Sequence, residues 1–371
     1  MRIGFDAKRI FHNATGLGNY GRDLVRVLAK YYPLNTYYLY NPKPKKITRL
    51  ELTNSMKEEL PESFLWKKLS SIWRQRAVVK NIKKDKITLF HGLSGEIPRG
   101  LQKQGVKTVV TIHDLIFIRY PKLYSYFDRK IHFLKFRYAA KKADKIIAIS
   151  EQTKKDIITF LQVSASKITV VYQGCNEVFK KERSELEKNT LKNKYQLPDK
   201  FLLNVGTIEE RKNALVIVKA LKNSEIPLVV VGKKTAYYKK IEAYIKEHKL
   251  ENKVFFLEGL TLDELSTMYQ LAEIFIYPSI FEGFGIPIIE ALYSKTPVIT
   301  TNTGVFPEAG GPFSTYVNPY NVDEMEKSID KLLKLSKSEK KDITEKGFIF
   351  AQRFNDEEIA KNIMKVYEQI G

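Results

Sequence analysis

Three features of the sequence predict a pair of doubly wound α/β domains. The 371 residues exceed what one ordinary core accommodates, which favours two domains of about 150 to 200 residues each. Runs such as Val109-Val110-Thr111-Ile112 and Leu228-Val229-Val230-Val231 lack polar alternation, so they read as strands covered on both faces. Such runs alternate with longer helical patterns in both halves of the chain, as parallel sheets with crossover helices require.

In chain order, the first half offers strands at Arg2–Asp6, Tyr37–Tyr40, Leu89–His91, Thr108–Ile112, Lys145–Ile149 and Ile168–Val171. A polar, glycine-containing turn at Tyr172-Gln173-Gly174-Cys175-Asn176 and the charge-dense stretch Lys180–Lys194 mark the boundary. The second half offers Phe201–Gly206, Pro227–Gly232, Lys253–Leu257, Glu273–Tyr277, Pro297–Thr300 and a weaker Thr315–Val317. Ile359, Ile363, Val366 and Ile370 recur at helical spacing and predict an amphipathic helix over Asp356–Ile370. The expected domains are residues 1–178 and 179–354, with 355–371 as a terminal helix.

Composition narrows the classes. With 43% hydrophobic and 28% charged residues, 19 Gly and 14 Pro, the chain is neither disordered nor collagen-like nor a coiled coil. The single cysteine, Cys175, excludes an internal disulfide framework and a Cys-rich zinc module, and suits a reducing compartment. No apolar run reaches the ~20 residues of a spanning helix, and Met1–Asp6 enters a strand rather than a signal peptide. A soluble, cytoplasmic chain is expected. The net charge of +21 is uneven: residues 1–180 hold 35 Lys and Arg against 14 Asp and Glu, whereas residues 181–371 hold 28 of each. The first half therefore attracts something anionic, whether nucleic acid, a membrane surface or a phosphorylated acceptor.

The strongest local signal is Glu282-Gly283-Phe284-Gly285-Ile286-Pro287-Ile288-Ile289-Glu290, just after the strand at Glu273–Tyr277. Glycines around one aromatic let backbone approach a ligand, and Pro287 suits a first helical turn. Glu282 and Glu290 can then face one cavity at the carboxyl end of a parallel strand and accept hydrogen bonds from sugar hydroxyls. The plainer alternative is that both carboxylates favour a helix N-terminus. Gly206 through Arg211-Lys212-Asn213 is the second signal: two adjacent cations opening a helix at Asn213–Leu221 oppose its dipole unless an anion such as a diphosphate binds. Neutralisation by Glu209 and Glu210 is the alternative.

Gly16-Leu17-Gly18-Asn19-Tyr20-Gly21 spells G-x-G-x-x-G, but Ala7–Thr15 separate it from its strand and no acidic residue follows at the right distance. This excludes a nicotinamide site and leaves a flexible glycine loop near phosphates, or an ordinary turn into a helix. His113-Asp114 ends a strand at a carboxyl edge, where a histidine can bond a substrate hydroxyl or serve structure alone. Metal, P-loop and serine-hydrolase patterns find no support.

Together these pieces resemble the retaining glycosyltransferases of family 4, with the GT-B architecture of two Rossmann-like domains facing a central cleft. The resemblance covers almost the whole chain. It rests on Gly16–Tyr20, Thr111-Ile112-His113-Asp114-Leu115, Ile147-Ala148-Ile149-Ser150, Val205-Gly206 through Asn213, and Tyr277-Pro278-Ser279 with Glu282–Glu290. One departure is Thr207-Ile208-Glu209-Glu210, where many relatives carry a proline before the Arg-Lys pair.

The resemblance implies that the second half binds a sugar nucleotide and the first half the acceptor. Glu290 would take the ribose hydroxyls, and Arg211 and Lys212 the diphosphate, joined by Gly16, Gly18 and Gly206. Glu282 with the Gly283, Phe284, Gly285 and Ile286 segment would hold the donor sugar, and His113 would contact one of its hydroxyls. It further implies a terminal helix crossing back onto the first domain, no cofactor, and catalysis without a bound metal. Thr111–Leu115 with Pro121 looks like the mannosyltransferase branch, so GDP-mannose is the expected donor, with a UDP-hexose as the other choice.

The basic first half would suit a lipid-diphosphate-linked glycan acceptor at an anionic membrane, in surface-polysaccharide or lipopolysaccharide synthesis. Glu62–Lys86 reads as one helix with Trp66, Leu69, Ile72 and Trp73 at helical spacing and Lys67, Lys68 and Arg74 between them, a pattern able to lie in a membrane interface. Packing of the same helix on the sheet is the alternative. Tyr124–Lys142, aromatic and basic, is a second candidate. Two rival functions are a GT-B sugar-nucleotide epimerase and a nucleic-acid-binding protein. The second lacks any recognition-helix, zinc-finger or RNP pattern.

Overall fold

Branched and aromatic side chains on both faces of short strands drive two parallel sheets, each shielded by its crossover helices. The computed structural model describes residues 1–44 and 47–371. The chain divides into a first unit, Met1–Gly174 with Asn355–Gly371, and a second, Cys175–Phe354. The first unit contains β1 (Arg2–Asp6), β2 (Thr36–Tyr40), β3 (Met56–Glu59), β4 (Leu89–Gly92), β5 (Lys107–Ile112), β6 (Lys145–Ala148) and β7 (Ile168–Val170). The second contains β8 (Leu202–Val205), β9 (Leu228–Val231), β10 (Val254–Leu257), β11 (Ile274–Tyr277), β12 (Val298–Thr301) and β13 (Thr315–Val317).

The sheet orders are β3-β2-β1-β4-β5-β6-β7 and β10-β9-β8-β11-β12-β13. Each reverses direction once, between β1 and β4 and between β8 and β11. Open α/β sheets present a crevice at that reversal, beyond the carboxyl ends of the strands. Every strand expected from the sequence is present, with no end displaced by more than one residue. β3 escaped the sequence reading because it is an edge strand: of Met56-Lys57-Glu58-Glu59 only Met56 is buried, so it carries almost no apolar signal.

The terminal helix Asp356–Glu368 buries Ile359, Ile363, Met364, Val366 and Tyr367 in the core of the first unit, beside Ile3, Phe5 and Val109. Its Tyr367 hydroxyl is 2.7 Å from His91 Nδ1, and His91 Nε2 is 2.8 Å from Thr111 Oγ1. Thr111 is in turn 2.9 Å from the Tyr20 hydroxyl. Burial pushes the His91 imidazole down to about 3, with the nearby His113 adding to the effect, so the ring is neutral.

The reading of Glu62–Lys86 as one interfacial helix is corrected. The segment breaks into Phe64–Lys68, Ser70–Ile72, a wide turn of π type at Trp73–Ala77, and Val78–Lys84. The wide turn shifts the apolar stripe off its helical period. Trp73 consequently turns inward and is 2% exposed, packed with Tyr38, Tyr40 and Phe90, and Trp66 leans on the same cluster. Arg74 is spent on Asp6 and Glu96, whose charges raise its pKa despite the opposing effect of burial. Neither Trp73 nor Arg74 is offered to a surface; Lys67 and Lys68 are exposed.

Candidate active site

In the second unit, the loops after β8 and β11 meet at the sheet reversal. β8 is followed by Gly206, whose φ of 144° is a conformation that L side chains rarely adopt. A Cβ on Gly232, after the neighbouring β9, would lie 1.8 Å from the Gly206 carbonyl oxygen, so packing requires a glycine there as backbone conformation does at Gly206. A single tight turn, Glu210–Lys212, follows, and Asn213 at φ 56° redirects the chain into the helix Ala214–Ala220. The Asn213 side chain secures that bend by donating to the Pro319 carbonyl at 2.7 Å. From β11, residues 278–285 lead to the helix Ile286–Tyr293, with Gly285 at φ 127°. The two loops are fastened together: Ile280 N–H donates to the Arg211 carbonyl at 2.9 Å, and the Arg211 guanidinium donates to the Phe281 carbonyl at 2.6 Å.

Glu282 is the hub of this junction. Arg211 Nη1 lies 2.7 Å and Lys212 Nζ 2.5 Å from its Oε1. The Tyr277 hydroxyl at 3.0 Å and the Ser279 hydroxyl at 2.8 Å reach the same oxygen. Lys212 also donates to the Tyr277 hydroxyl. Burial alone would raise the Glu282 carboxyl, but the Lys212 and Arg211 charges outweigh it and hold it down to about 2. At neutral pH the group is therefore an anion that accepts hydrogen bonds and has no proton to give. Arg211 is shifted upward: burial opposes the charge, but Glu282 and then Glu209 more than compensate.

This revises the expectation of two unmatched cations at a helix N-terminus. Arg211 and Lys212 stand in a separate turn ahead of the helix, and Glu282 serves both, with Glu209 adding a contact to Arg211 at 2.6 Å. The three central side chains keep limited access, 19% for Arg211, 15% for Lys212 and 14% for Glu282, so the cluster is not sealed.

Glu290, one turn into its helix, accepts from the Tyr269 hydroxyl at 2.9 Å. Tyr269 is fully buried, and burial followed by the Glu290 charge pushes its hydroxyl well above the ordinary range. Gly285 and Ile286 mark the start of the helix, as the Glu282–Glu290 pattern requires. Phe284 is 3% exposed, with its ring 5.5 Å from that of Phe354. Its side chain is a core anchor for the loop and does not face a ligand.

In the first unit, His113 follows β5 at the carboxyl edge and is 8% exposed. Its Nε2 lies 2.9 Å from the Leu93 carbonyl and must be the protonated nitrogen, while Nδ1 accepts from the Gln173 amide at 3.1 Å. Burial depresses the ring to about 4, so it is neutral. The Gly16–Gly18 segment is not a loop: the helix Gly16–Tyr31 begins there, with Thr15 ahead of it. Gly18 is explained by packing, since a Cβ would meet the Asn13 carbonyl oxygen at 1.9 Å, while the space at Gly16 is open. Arg22 ties the turn down by donating to the carbonyls of Ile10 at 2.6 Å and Asn13 at 2.9 Å.

The structure thus brings Gly206, Arg211, Lys212 and Glu282 together at one reversal point. The sequence reading did not assign Tyr277 and Ser279 to the site, although Tyr277-Pro278-Ser279 stood directly beside Glu282 at a strand exit. Tyr269 gave no signal, being one aromatic within an ordinary helix.

Known proteins share this fold. Residues 16–178 match the model of Glycosyltransferase Family 4, and residues 187–347 match that of Glycosyl transferases group 1. The chain is similar to the serotype-specific mannosyltransferase WbdA of Escherichia coli, 29% identical over 259 residues, which is 67% of this chain and 32% of WbdA. That match spans about a third of the length of WbdA. It is also similar to O-antigen chain mannosyltransferase B of Escherichia coli, 24% identical over 394 residues, 99% of this chain and 100% of that protein. Among solved structures, Anabaena Alr3699/HepE in complex with UDP-glucose has a TM-score of 0.74 at 16% identity, covering 100% of both chains. The two family models lie in the two sheet-bearing halves, and the chain belongs to the family 4 glycosyltransferases, built on the GT-B fold.

Proposed function

We propose that the chain is a retaining hexosyltransferase that moves mannose from GDP-mannose to a glycan or lipid-linked acceptor during surface-polysaccharide synthesis. The observation that carries this reading is the junction of Arg211, Lys212 and Glu282, two cations sharing one partly accessible carboxylate at the reversal between β8 and β11. A diphosphate suits such a place: Arg211 offers a planar fork for two oxygens, and Lys212 a compact charge. As the bond between sugar and diphosphate breaks, negative charge grows on the leaving oxygens, and cations already held in position stabilise it without reorganisation. These two side chains supply that charge in place of a metal, so a chelator should leave turnover unchanged.

Glu282, anionic at neutral pH, accepts from donor-sugar hydroxyls and is given no nucleophilic role. Glu290 binds the ribose hydroxyls, with Tyr269 fixing its carboxylate. Contact between His113 and a sugar hydroxyl would have to replace the Gln173 amide at Nδ1. The mannose assignment is supported by the names of the two Escherichia coli relatives, and a nucleotide-sugar donor by the UDP-glucose bound to HepE. The reading places the chain in the cytoplasm, where sugar nucleotides are available.

The test is a thermal-shift panel of GDP-mannose, UDP-glucose and ADP-glucose, followed by turnover with lipid-linked glycan acceptors. GDP-mannose should give the largest shift, GDP should be released only when acceptor is present, and the product should keep the donor's anomeric configuration. Release of nucleotide without acceptor, with an epimerised sugar, would replace transfer by epimerisation. A larger shift with UDP-glucose would overturn the donor assignment alone.

A further inference from the structure

The helix Tyr126–Lys142 of the first unit is apolar on two opposite sides. At about 100° per residue, Phe133, Phe136, Ala139 and Ala140 share one side. That side faces the core: Ala139 and Ala140 are buried with Val110, Ile112 and Ile146, and Phe133 and Phe136 pack against the same cluster. Phe127, Ile131 and Leu134 fall at i, i+4 and i+7 on the other side, and they are 76%, 52% and 59% exposed. A helix serving only its own core carries polar residues there.

Leu123, Tyr124 and Tyr126, all exposed, extend the patch at the start of the helix. Lys130, Arg137 and Lys141 flank the outer stripe by helical geometry, and Asp128 is the helix's one acidic residue. The first unit carries a second exposed apolar patch. Phe64, Leu65, Leu69 and Ile72 are 73%, 58%, 41% and 49% exposed, on the broken helical segment that also carries Arg74. Glu96 links the two elements, accepting from Arg74 at 2.8 Å and from Lys135 at 3.4 Å. Both elements thus reach the loop that follows β4 through a basic side chain.

We propose that this face, centred on Phe127, Ile131 and Leu134, seats on the headgroup layer of an anionic lipid bilayer. The apolar side chains would enter the acyl boundary while the flanking bases meet lipid phosphates. Charge selects this occupant. A second copy of the chain would bring the same basic surface and be repelled, and a nucleic acid would leave the apolar centre uncovered. Among the described residues no helix is long and apolar enough to cross a membrane, and this face would lie on the surface instead. The proposal stands apart from the diphosphate and ribose chemistry, whose Arg211, Lys212, Glu282 and Glu290 belong to the second unit.

The experiment is flotation of the full chain with vesicles of phosphatidylcholine, with and without phosphatidylglycerol, at low and high salt. Binding should require phosphatidylglycerol and weaken as salt rises. The triple variant Phe127→Ser, Ile131→Ser, Leu134→Ser should lose roughly tenfold or more in vesicle affinity. A second variant, Lys130→Gln with Arg137→Gln, should also bind phosphatidylglycerol vesicles more weakly. Both should keep the parent's melting temperature and its thermal shift with GDP-mannose. Equal flotation of parent and variants, or no flotation of the parent, overturns the proposal. So does a parent dimer in gel filtration that the triple variant converts to monomer, which would assign the face to a second copy. Loss of the nucleotide shift in the parent, with vesicle binding intact, would count against the transferase reading and leave this one standing.

Discussion

The two units share a winding order and use it differently. In the first, the strand at the reversal ends in Asp6, and Arg74 closes over it from a neighbouring segment while also holding Glu96. In the second, the equivalent strand is followed by Gly206 and opens into a turn carrying Arg211 and Lys212, which Glu282 holds from the next loop. One junction is an internal brace, with Arg74 only 10% exposed; the other keeps its cations partly accessible. The same topology thus supplies two charged junctions, and the placement of a few side chains decides which of them keeps its cations partly open. The surfaces invert this contrast: the first unit carries the surplus basic charge and the exposed apolar face, while residues 181–371 balance 28 acids with 28 bases.

The largest test of this contrast is Trp73→Ala. Removing a buried tryptophan should cost the protein about 3–5 kcal/mol, measured by denaturant unfolding. The nucleotide affinity of the second unit should be preserved under native conditions; a parallel loss of affinity would show that the two crevices are not independent. Next is Arg211→Ala, which should slow turnover by roughly 10² or more, about 3 kcal/mol of transition-state stabilisation, with vesicle binding unchanged. A near-normal rate would make the second junction a brace like the first.

The smallest effect per unit of pH separates the units by acid response. His91 and His113 are held below their ordinary value of 6.5, at about 3 and about 4, so they favour folding above pH 6.5 and that contribution fades as pH falls below it. Each should remove about 1.4 kcal/mol per pH unit in that window. Glu282, lowered from 4.5 to about 2, begins to withdraw its contribution only below pH 4.5. Hydrogen exchange at pH 7, 6 and 5 should therefore show the first unit loosening before the second; the opposite order would contradict the pairing described for the two histidines.

The legibility of the sequence followed burial. Strands such as β5 and β9, apolar on both faces, were found to within one residue at each end, whereas β3 was invisible because an edge strand needs no apolar alternation. Glu282, Arg211 and Lys212 were recognisable as a set, but their mutual pairing was not, since it depends on two loops separated by about seventy residues and joined through backbone bonds. Trp73 and Arg74 were misjudged because one wide helical turn suffices to rotate a side chain from surface to core, and periodicity assumes that no such turn occurs. The outer face of Tyr126–Lys142 was obscured for another reason. Apolar residues on opposite sides cancel in any measure of one-sidedness, so a doubly apolar helix resembles an irregular one.

The terminal helix, packed into the first core and hydrogen-bonded between Tyr367 and His91, makes the first unit discontinuous in sequence. Chopping the gene after codon 174 would yield a protein with an open trough where Ile359, Ile363 and Val366 normally lie, and with a desolvated imidazole missing its phenol. A synthetic peptide of residues 355–371, added in trans, ought to mend that fragment, much as a missing stave restores a cask.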